Sequence, residues 1–125
     1  MGKVILIVED DLLNMKLFRD LLQMNGYATF EAKNGKQGIE MAREKQPDLI
    51  LMDIQMPVMD GLEATRILKS YPVTAGIPII ALTSAAMAGD REKTVQAGCD
   101  IFMSKPIDIH DFLETVASEL HDRSE

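Results

Sequence analysis

The feature that most constrains this chain is a run of four apolar residues that ends in a carboxylate, Leu49-Ile50-Leu51-Met52-Asp53. Pro47-Asp48 precedes the run and Met56-Pro57 follows it, so residues that break regular structure bound it on both sides. A run that is apolar on both faces is typical of a strand in a parallel sheet that is covered on both sides. A charge is costly inside such a strand, and we therefore expect Asp53 at its carboxyl end, facing a crevice.

Strand-like and helix-like segments alternate along the whole chain. Asn34 with Gln37 and Asp60 with Glu63 have the spacing of a helix cap and its partner. The predicted strands cover residues 3–8, 27–31, 49–53, 78–82 and 100–103, and the predicted helices cover residues 12–25, 34–45, 60–70, 85–97 and a last stretch from residue 108. Repeated strand–helix units predict an α/β fold in which a doubly wound, five-stranded parallel sheet is covered by five helices.

Composition excludes several classes of function. A chain of 125 residues is expected to form one domain, and its net charge of −7 argues against nucleic acid as a partner, which would require a basic surface. No apolar run approaches the length of a membrane span or a signal peptide, so we expect no membrane partner. The single cysteine, Cys99, excludes an internal disulfide and fits the reducing cytoplasm. We expect a monomer.

Polar residues that can carry chemistry follow four of the predicted strands. Glu9 and Asp10 follow the first, Asp53 ends the third, Thr83 follows the fourth and Lys105 follows the fifth. Ligands of open α/β sheets bind at the carboxyl ends of the strands, where the strand order reverses. If the first and third strands are neighbours, about 4.8 Å apart, the three carboxylates converge.

Three converging carboxylates need a partner of opposite charge. At roughly 4 Å and an effective dielectric constant near 20, each pair of like charges costs about 4 kcal/mol. A site built only from oxygen ligands and open to a crevice suits Mg²⁺. Asp53 is then placed to act as a nucleophile that forms an aspartyl phosphate. Lys105 can pair with Asp53 and later with a phosphoryl oxygen, to which Thr83 can donate a hydrogen bond.

Four motifs at these strand ends together resemble the CheY-like receiver domain of two-component response regulators, and the resemblance covers the whole chain. It implies a flavodoxin-like fold with the strand order 2-1-3-4-5 and no output domain. The motifs are Ile7-Val8-Glu9-Asp10, Met52-Asp53-Ile54-Gln55-Met56-Pro57-Val58-Met59-Asp60-Gly61, Ala81-Leu82-Thr83-Ser84 and Ser104-Lys105-Pro106.

The resemblance implies roles for the acidic residues. Asp53 would be the phosphoacceptor. Mg²⁺ would be bound by Asp53 and Asp10 directly, by Glu9 mostly through water, and by Gln55 through its backbone carbonyl.

The resemblance also implies how the switch would respond. Thr83 and Lys105 would contact the phosphoryl group, and the peptide bond between Lys105 and Pro106 would be cis. Phe102 matches the switch aromatic of the family, where a tyrosine is frequent, so a contact that needs the tyrosine hydroxyl is not expected.

The leading hypothesis is therefore a phosphorylation switch in a phosphorelay, loaded with Mg²⁺ by a sensor histidine kinase or a phosphotransfer protein. A downstream protein target would bind the surface formed by the predicted helix 85–97, the strand 100–103 and the last helix. Residues 13–18 and 105–107 look most like the stand-alone cell-division regulators and the receiver domains of hybrid kinases. A receiver domain excised from a hybrid histidine kinase and an inert receiver-like binding module remain alternatives. A phosphohydrolase is disfavoured because Gln55 stands where such enzymes need an acid/base carboxylate.

Overall fold

The computed structural model describes residues 2–56, 59–83 and 88–124, which form five strands and six helices. The elements are β1 Val4–Val8, α1 Leu12–Met24, β2 Ala28–Ala32, α2 Gly35–Lys45, β3 Leu49–Asp53, α3 Gly61–Ser70, α4 Pro72–Ala75, β4 Ile79–Thr83, α5 Ala88–Ala97, β5 Ile101–Ser104 and α6 Ile109–Ser124. No helix within these ranges has the length and apolar character needed to cross a membrane.

The five strands form one parallel sheet in the order β2-β1-β3-β4-β5, which confirms the predicted fold class and strand order. The apolar run Leu49–Asp53 is β3, the central strand, and all five of its residues are buried. The neighbouring strands β1 and β4 are also almost fully buried, because helices cover both faces of the sheet.

The sheet divides the core into two layers. One layer packs alternate residues of β1 and β3 against α2 and α3, with Ile39, Ala42, Ala64 and Leu68 contributed by the helices. The other layer packs the opposite faces of the same strands against α1 and α6, with Met15, Phe18, Leu22, Phe112, Val116 and Leu120 contributed by the helices. The α1 and α6 helices meet directly, since the ring centroids of Phe18 and Phe112 lie 5.4 Å apart. Both layers hold the strand ends in fixed positions.

Polar side chains begin the helices where the sequence predicts them. Asn34 Oδ1 accepts a hydrogen bond from the backbone amide of Gln37, and Asp60 Oδ1 accepts one from the backbone amide of Glu63. Asp11 caps α1 in the same way. Each cap satisfies an amide at the first turn and ends the preceding loop at a defined residue.

The structure departs from the prediction in one element and in several boundaries. The described residues contain six helices rather than five, because residues 72–75 form the single turn α4 after α3. The strands predicted at residues 27–31, 78–82 and 100–103 each begin and end one residue later, at Ala28–Ala32, Ile79–Thr83 and Ile101–Ser104. The predicted helix start at residues 85–87 lies outside the described residues, as do Pro57, Val58 and Ser84 of the quoted motifs.

Candidate functional site

Parallel pairing brings the ends of β1, β3 and β4 to one edge of the sheet. Val8 pairs with Met52, and Asp53 pairs with Leu82. Glu9 directly follows Val8, and Thr83 directly follows Leu82, so both extend past the same edge as Asp53. The residues that the sequence placed at separate strand ends are therefore neighbours in space.

An acidic cluster forms at this edge from Glu9, Asp10 and Asp53. One carboxylate oxygen of each lies within 4.8 Å of the others. Glu9 and Asp53 are each only 2% exposed, whereas Asp10 is exposed to solvent. The cluster is therefore buried at Glu9 and Asp53 and open to solvent at Asp10. Carboxylate oxygens at this spacing are donors that suit a hard divalent cation such as Mg²⁺.

Lys105 is the cation in contact with this cluster. Its Nζ lies 3.4 Å from Glu9 Oε1 and 3.5 Å from Asp53 Oδ1. The sequence predicted the pairing with Asp53 but did not identify Glu9 as a second partner. The peptide bond between Lys105 and Pro106 is cis, the conformation that the resemblance implied. One ammonium group therefore faces two buried carboxylates, which leaves the cluster with an excess of negative charge.

Burial within this cluster perturbs the carboxyl group of Glu9. Burial, a hydrogen bond with Asp53 and the charge of Asp53 together raise the pKa of the Glu9 carboxyl from 4.5 to about 8. The hydrogen bond from the Asp11 amide, 3.2 Å from Glu9 Oε2, and the Lys105 ammonium lower this pKa, but they offset only part of the rise. Without a metal ion, a proton relieves the repulsion at neutral pH, and a bound cation can take over that role.

Gln55 contacts both neighbouring strand ends. Its backbone amide donates a hydrogen bond to Asp53 Oδ1 at 3.1 Å, and its side-chain Nε2 donates a hydrogen bond to Thr83 Oγ1. The sequence assigned only the backbone carbonyl of Gln55 to the site. No sequence pattern marks the side-chain contact, because Gln55 and Thr83 belong to different strand–helix units.

A glycine allows α3 to begin against the end of β3. The amide of Gly61 donates a hydrogen bond to the carbonyl of Ile54 at 3.0 Å. A Cβ atom at Gly61 would overlap the backbone carbonyl oxygen of Asp53 and the Cα atom of Ile54. Gly61 is thus a positioning residue that no sequence pattern marked, although it follows the capping residue Asp60 directly.

Phe102 lies apart from the acidic cluster. It is half-buried on the edge strand β5 and lines a groove of about 510 Å³ between β5 and α6. Ile101 and Met103 form the apolar part of the groove with it, and Asp111 and Glu114 provide acidic side chains from α6. The predicted switch aromatic therefore stands at a surface and not among the fully buried core residues.

Comparison with known proteins gives one consistent result. The family description "response regulator receiver domain" matches residues 5–117. The polar-differentiation response regulator DivK of Brucella anthropi is 51% identical over 122 residues, covering 98% of this chain and 99% of that protein. The receiver domain of sensor histidine kinase PA1611 from Pseudomonas aeruginosa PAO1, solved with a magnesium ion in its active-site cleft, has a TM-score of 0.90 at 34% identity. It covers 97% of this chain, and this chain covers 99% of it.

A second solved structure, a CheY-like response regulator receiver domain protein from Methanospirillum hungatei JF-1, has a TM-score of 0.92 at 27% identity, with 99% and 98% of the two chains covered. The similarity to DivK confirms the predicted likeness to cell-division regulators. Proteins of this kind act in signalling rather than as classical enzymes. The chain therefore belongs to the response regulator receiver domain family of two-component systems.

Proposed function

We propose that this chain is a phosphorylation switch in which Asp53 accepts a phosphoryl group from a sensor histidine kinase or a phosphotransfer protein. The observation that carries the proposal is the cluster of Glu9, Asp10 and Asp53, with carboxylate oxygens within 4.8 Å and the Lys105 ammonium 3.5 Å from Asp53. The family supports it, because a receiver-domain neighbour holds magnesium in its active-site cleft.

The proposed transfer converts Asp53 into an acyl phosphate. One carboxylate oxygen of Asp53 forms a bond to phosphorus while the bond from phosphorus to the donor's imidazole nitrogen breaks, and the donor keeps that electron pair. Attack by water on phosphorus later returns the carboxylate and releases inorganic phosphate. The chain thus assists its own loading and its own reset, but it turns over no external substrate.

Glu9, Asp10 and Asp53 would hold Mg²⁺ through carboxylate oxygens, Glu9 mostly through water, and the backbone carbonyl of Gln55 would complete the protein ligands. The bound ion supplies neutralisation of the charge on the phosphoryl oxygens. The donor set fits this ion, since the cluster is all oxygen, open on one side and too negative for Lys105 alone to balance.

Lys105 and Thr83 would hold the phosphoryl group once it is on Asp53. Phosphorylation raises the negative charge at residue 53 to about −1.5 to −2. Lys105 lies at the edge of the cluster, and its ammonium can shift to a phosphoryl oxygen while the carboxylates bind the cation. The Thr83 hydroxyl, buried at the end of β4, can donate a hydrogen bond to a second phosphoryl oxygen.

We propose that the downstream target binds the output face, defined here as the surface of α5, β5 and α6. Phe102 would change its packing when Asp53 is phosphorylated, as a shift between two populated states. The groove beside Phe102 is lined by apolar side chains of β5 and by the acidic side chains of Asp111 and Glu114. This chemistry favours a protein partner that presents an apolar side chain flanked by basic groups.

The remaining expectations follow the same proposal. Within the 125 residues we propose a single receiver domain that signals through a protein partner, as a monomer and without nucleic-acid or membrane contacts. We expect it to act in the cytoplasm, where a thiol such as that of Cys99 stays reduced.

Intact mass after incubation with Mg²⁺ and acetyl phosphate tests the proposal. One phosphoryl addition that requires Mg²⁺ and disappears in Asp53→Asn is the expected result. Asp60→Asn is the matched control, because Asp60 is a nearby aspartate whose capping role asparagine can fill. It should still be phosphorylated.

Two results would contradict the assignment. Phosphoryl addition that persists in Asp53→Asn would place the acceptor elsewhere. If neither acetyl phosphate nor a phosphorylated histidine protein loads the wild-type chain, the switch is excluded and an inert binding module takes its place.

A further inference from the structure

Gln55 joins the phosphoacceptor to the end of β4 through two separate groups. Its backbone amide donates to Asp53 Oδ1 at 3.1 Å, and its side-chain Nε2 donates to Thr83 Oγ1. Thr83 is 0% exposed, and Gln55, which is exposed, reaches it from the solvent side. The Gln55 amide therefore contacts the hydroxyl that the proposed function assigns to the phosphoryl group.

The direction of this hydrogen bond matters because a threonine hydroxyl has one hydrogen and two lone pairs. The amide N–H of Gln55 occupies a lone pair of Thr83 Oγ1 and does not use the hydroxyl hydrogen. It also disfavours rotation of that hydrogen towards residue 55, where it would meet another N–H group. A donor at residue 55 thus orients the Thr83 hydroxyl as a donor in another direction.

We infer that Gln55 is a positioning residue that aligns the Thr83 hydroxyl for hydrogen bonding to a phosphoryl oxygen on Asp53. The inference rests on the proposed function and adds the residue that prepares the switch hydroxyl before the phosphoryl group arrives. Since Asp53 and Thr83 end adjacent strands, one side chain can link both to the loop after β3. Gln55 then acts through Thr83 and contributes to how tightly the phosphorylated state is held.

The test measures binding of beryllofluoride, a phosphoryl mimic, to the full chain in the presence of Mg²⁺. Gln55→Met keeps the length of the side chain and removes the amide. Its affinity for beryllofluoride should fall by about 3- to 10-fold, the range that corresponds to one lost hydrogen bond. In a Thr83→Val background, which keeps the β-branched shape and removes the hydroxyl, the same substitution should change affinity by less than about twofold.

The chain offers a matched control at the other end of the sheet. Gln23 Nε2 donates a hydrogen bond to Thr29 Oγ1 at 2.9 Å, which is the same pair of groups far from the acidic cluster. Gln23→Met removes that bond and should leave the affinity for beryllofluoride at the wild-type value. Thr83→Ser keeps a hydroxyl and should retain the dependence on Gln55, which provides a second background if Thr83→Val does not fold.

Each outcome decides the inference. Unchanged affinity in Gln55→Met, or an equal loss in the Thr83→Val background, would overturn it, because Gln55 would then act without Thr83. The inference would also be overturned if Gln55→Met had no effect on the affinity for beryllofluoride in the Thr83→Ser background. If the wild-type chain neither binds beryllofluoride nor accepts a phosphoryl group at Asp53, the proposed function itself fails. That result differs from a wild-type chain that binds but shows no coupling.

Discussion

Glu9→Gln should stabilise the metal-free protein at pH 8 and leave its stability nearly unchanged at pH 4.5. Burial and the neighbouring Asp53 raise the pKa of the Glu9 carboxyl from 4.5 to about 8 in the folded state. Because the folded value is the higher one, the folded protein keeps a proton that the unfolded chain has released. The contribution of Glu9 to the stability of the wild-type protein is therefore fully present below pH 4.5 and is lost as the pH rises to about 8.

The size of the effect follows from one proton. A single group makes the free energy of unfolding fall by about 1.4 kcal/mol for each pH unit within its window. Over the pH window from 4.5 to about 8, the free energy of unfolding of the wild-type protein falls by roughly 4–5 kcal/mol. The variant keeps this free energy because its residue 9 has no proton to lose. The neutral amide can still accept the hydrogen bond from the Asp11 amide. The loss is large beside the total stability of a small domain, about 5–15 kcal/mol.

Urea unfolding in EDTA, followed by far-ultraviolet circular dichroism at several pH values, measures this difference. Circular dichroism is the suitable signal because the chain contains no tryptophan. Glu40→Gln, at an exposed glutamate on α2, is the control. Its free energy of unfolding, plotted against pH, should run parallel to that of the wild-type protein. If the free energy of unfolding of Glu9→Gln also changes with pH as that of the wild-type protein does, Glu9 is not held protonated and the reasoning is refuted.

Three further predictions concern the metal, the loop and the core. Asp10→Asn should weaken Mg²⁺ binding by about tenfold or more in a titration, since one charged ligand is lost; unchanged affinity would place the metal elsewhere. Gly61→Ala should cost about 1–3 kcal/mol in urea unfolding because an added Cβ overlaps the Asp53 carbonyl oxygen. Gly76→Ala is its control, because nothing lies within 4 Å of a Cβ there, and equal stability of the two variants would contradict the close approach. Phe112→Ala, at a position that is 0% exposed, should cost about 3–5 kcal/mol by the same assay, and a loss below about 1 kcal/mol would contradict the packing of α6.

The order of strands and helices is readable from the chain because its signals are local. A strand buried on both faces must be apolar throughout, and β3 is an uninterrupted apolar run up to Asp53. The caps at Asn34 and Asp60 are equally local, since each side chain bonds to an amide three residues later. Burial and capping leave a pattern over a few consecutive residues, and that pattern predicts the element.

The single turn α4 could not be predicted in this way. Four residues are too few to sustain a helix by propensity. Hydrogen bonds to and from the last turn of α3 support the turn: Thr74 Oγ1 donates to the carbonyl of Leu68, and Lys69 Nζ donates to the carbonyls of Ala75 and Ile77 at 3.2 and 2.8 Å. These bonds exist only because α3 already lies beside the turn.

In the candidate site, too, the sequence predicts one part and leaves another open. Topology places polar residues at the ends of four of the five strands, so the sequence alone predicts which residues meet. The sequence does not predict which of these side chains pair, because Glu9 and Lys105 are 96 residues apart and Gln55 and Thr83 are 28 residues apart. Which atom donates to which depends on side-chain positions that no local pattern records.

The sequence by itself determined the α/β architecture, the family and the set of residues at the carboxyl edge of the sheet. Only the tertiary structure decided that Lys105 faces Glu9 as well as Asp53, that Gln55 holds Thr83, and that the pKa of Glu9 is raised to about 8. The physical reason is that apolar periodicity and capping act between near neighbours in the chain. Burial, charge repulsion and hydrogen bonds across a cleft depend on distances between segments that only the folded chain brings together.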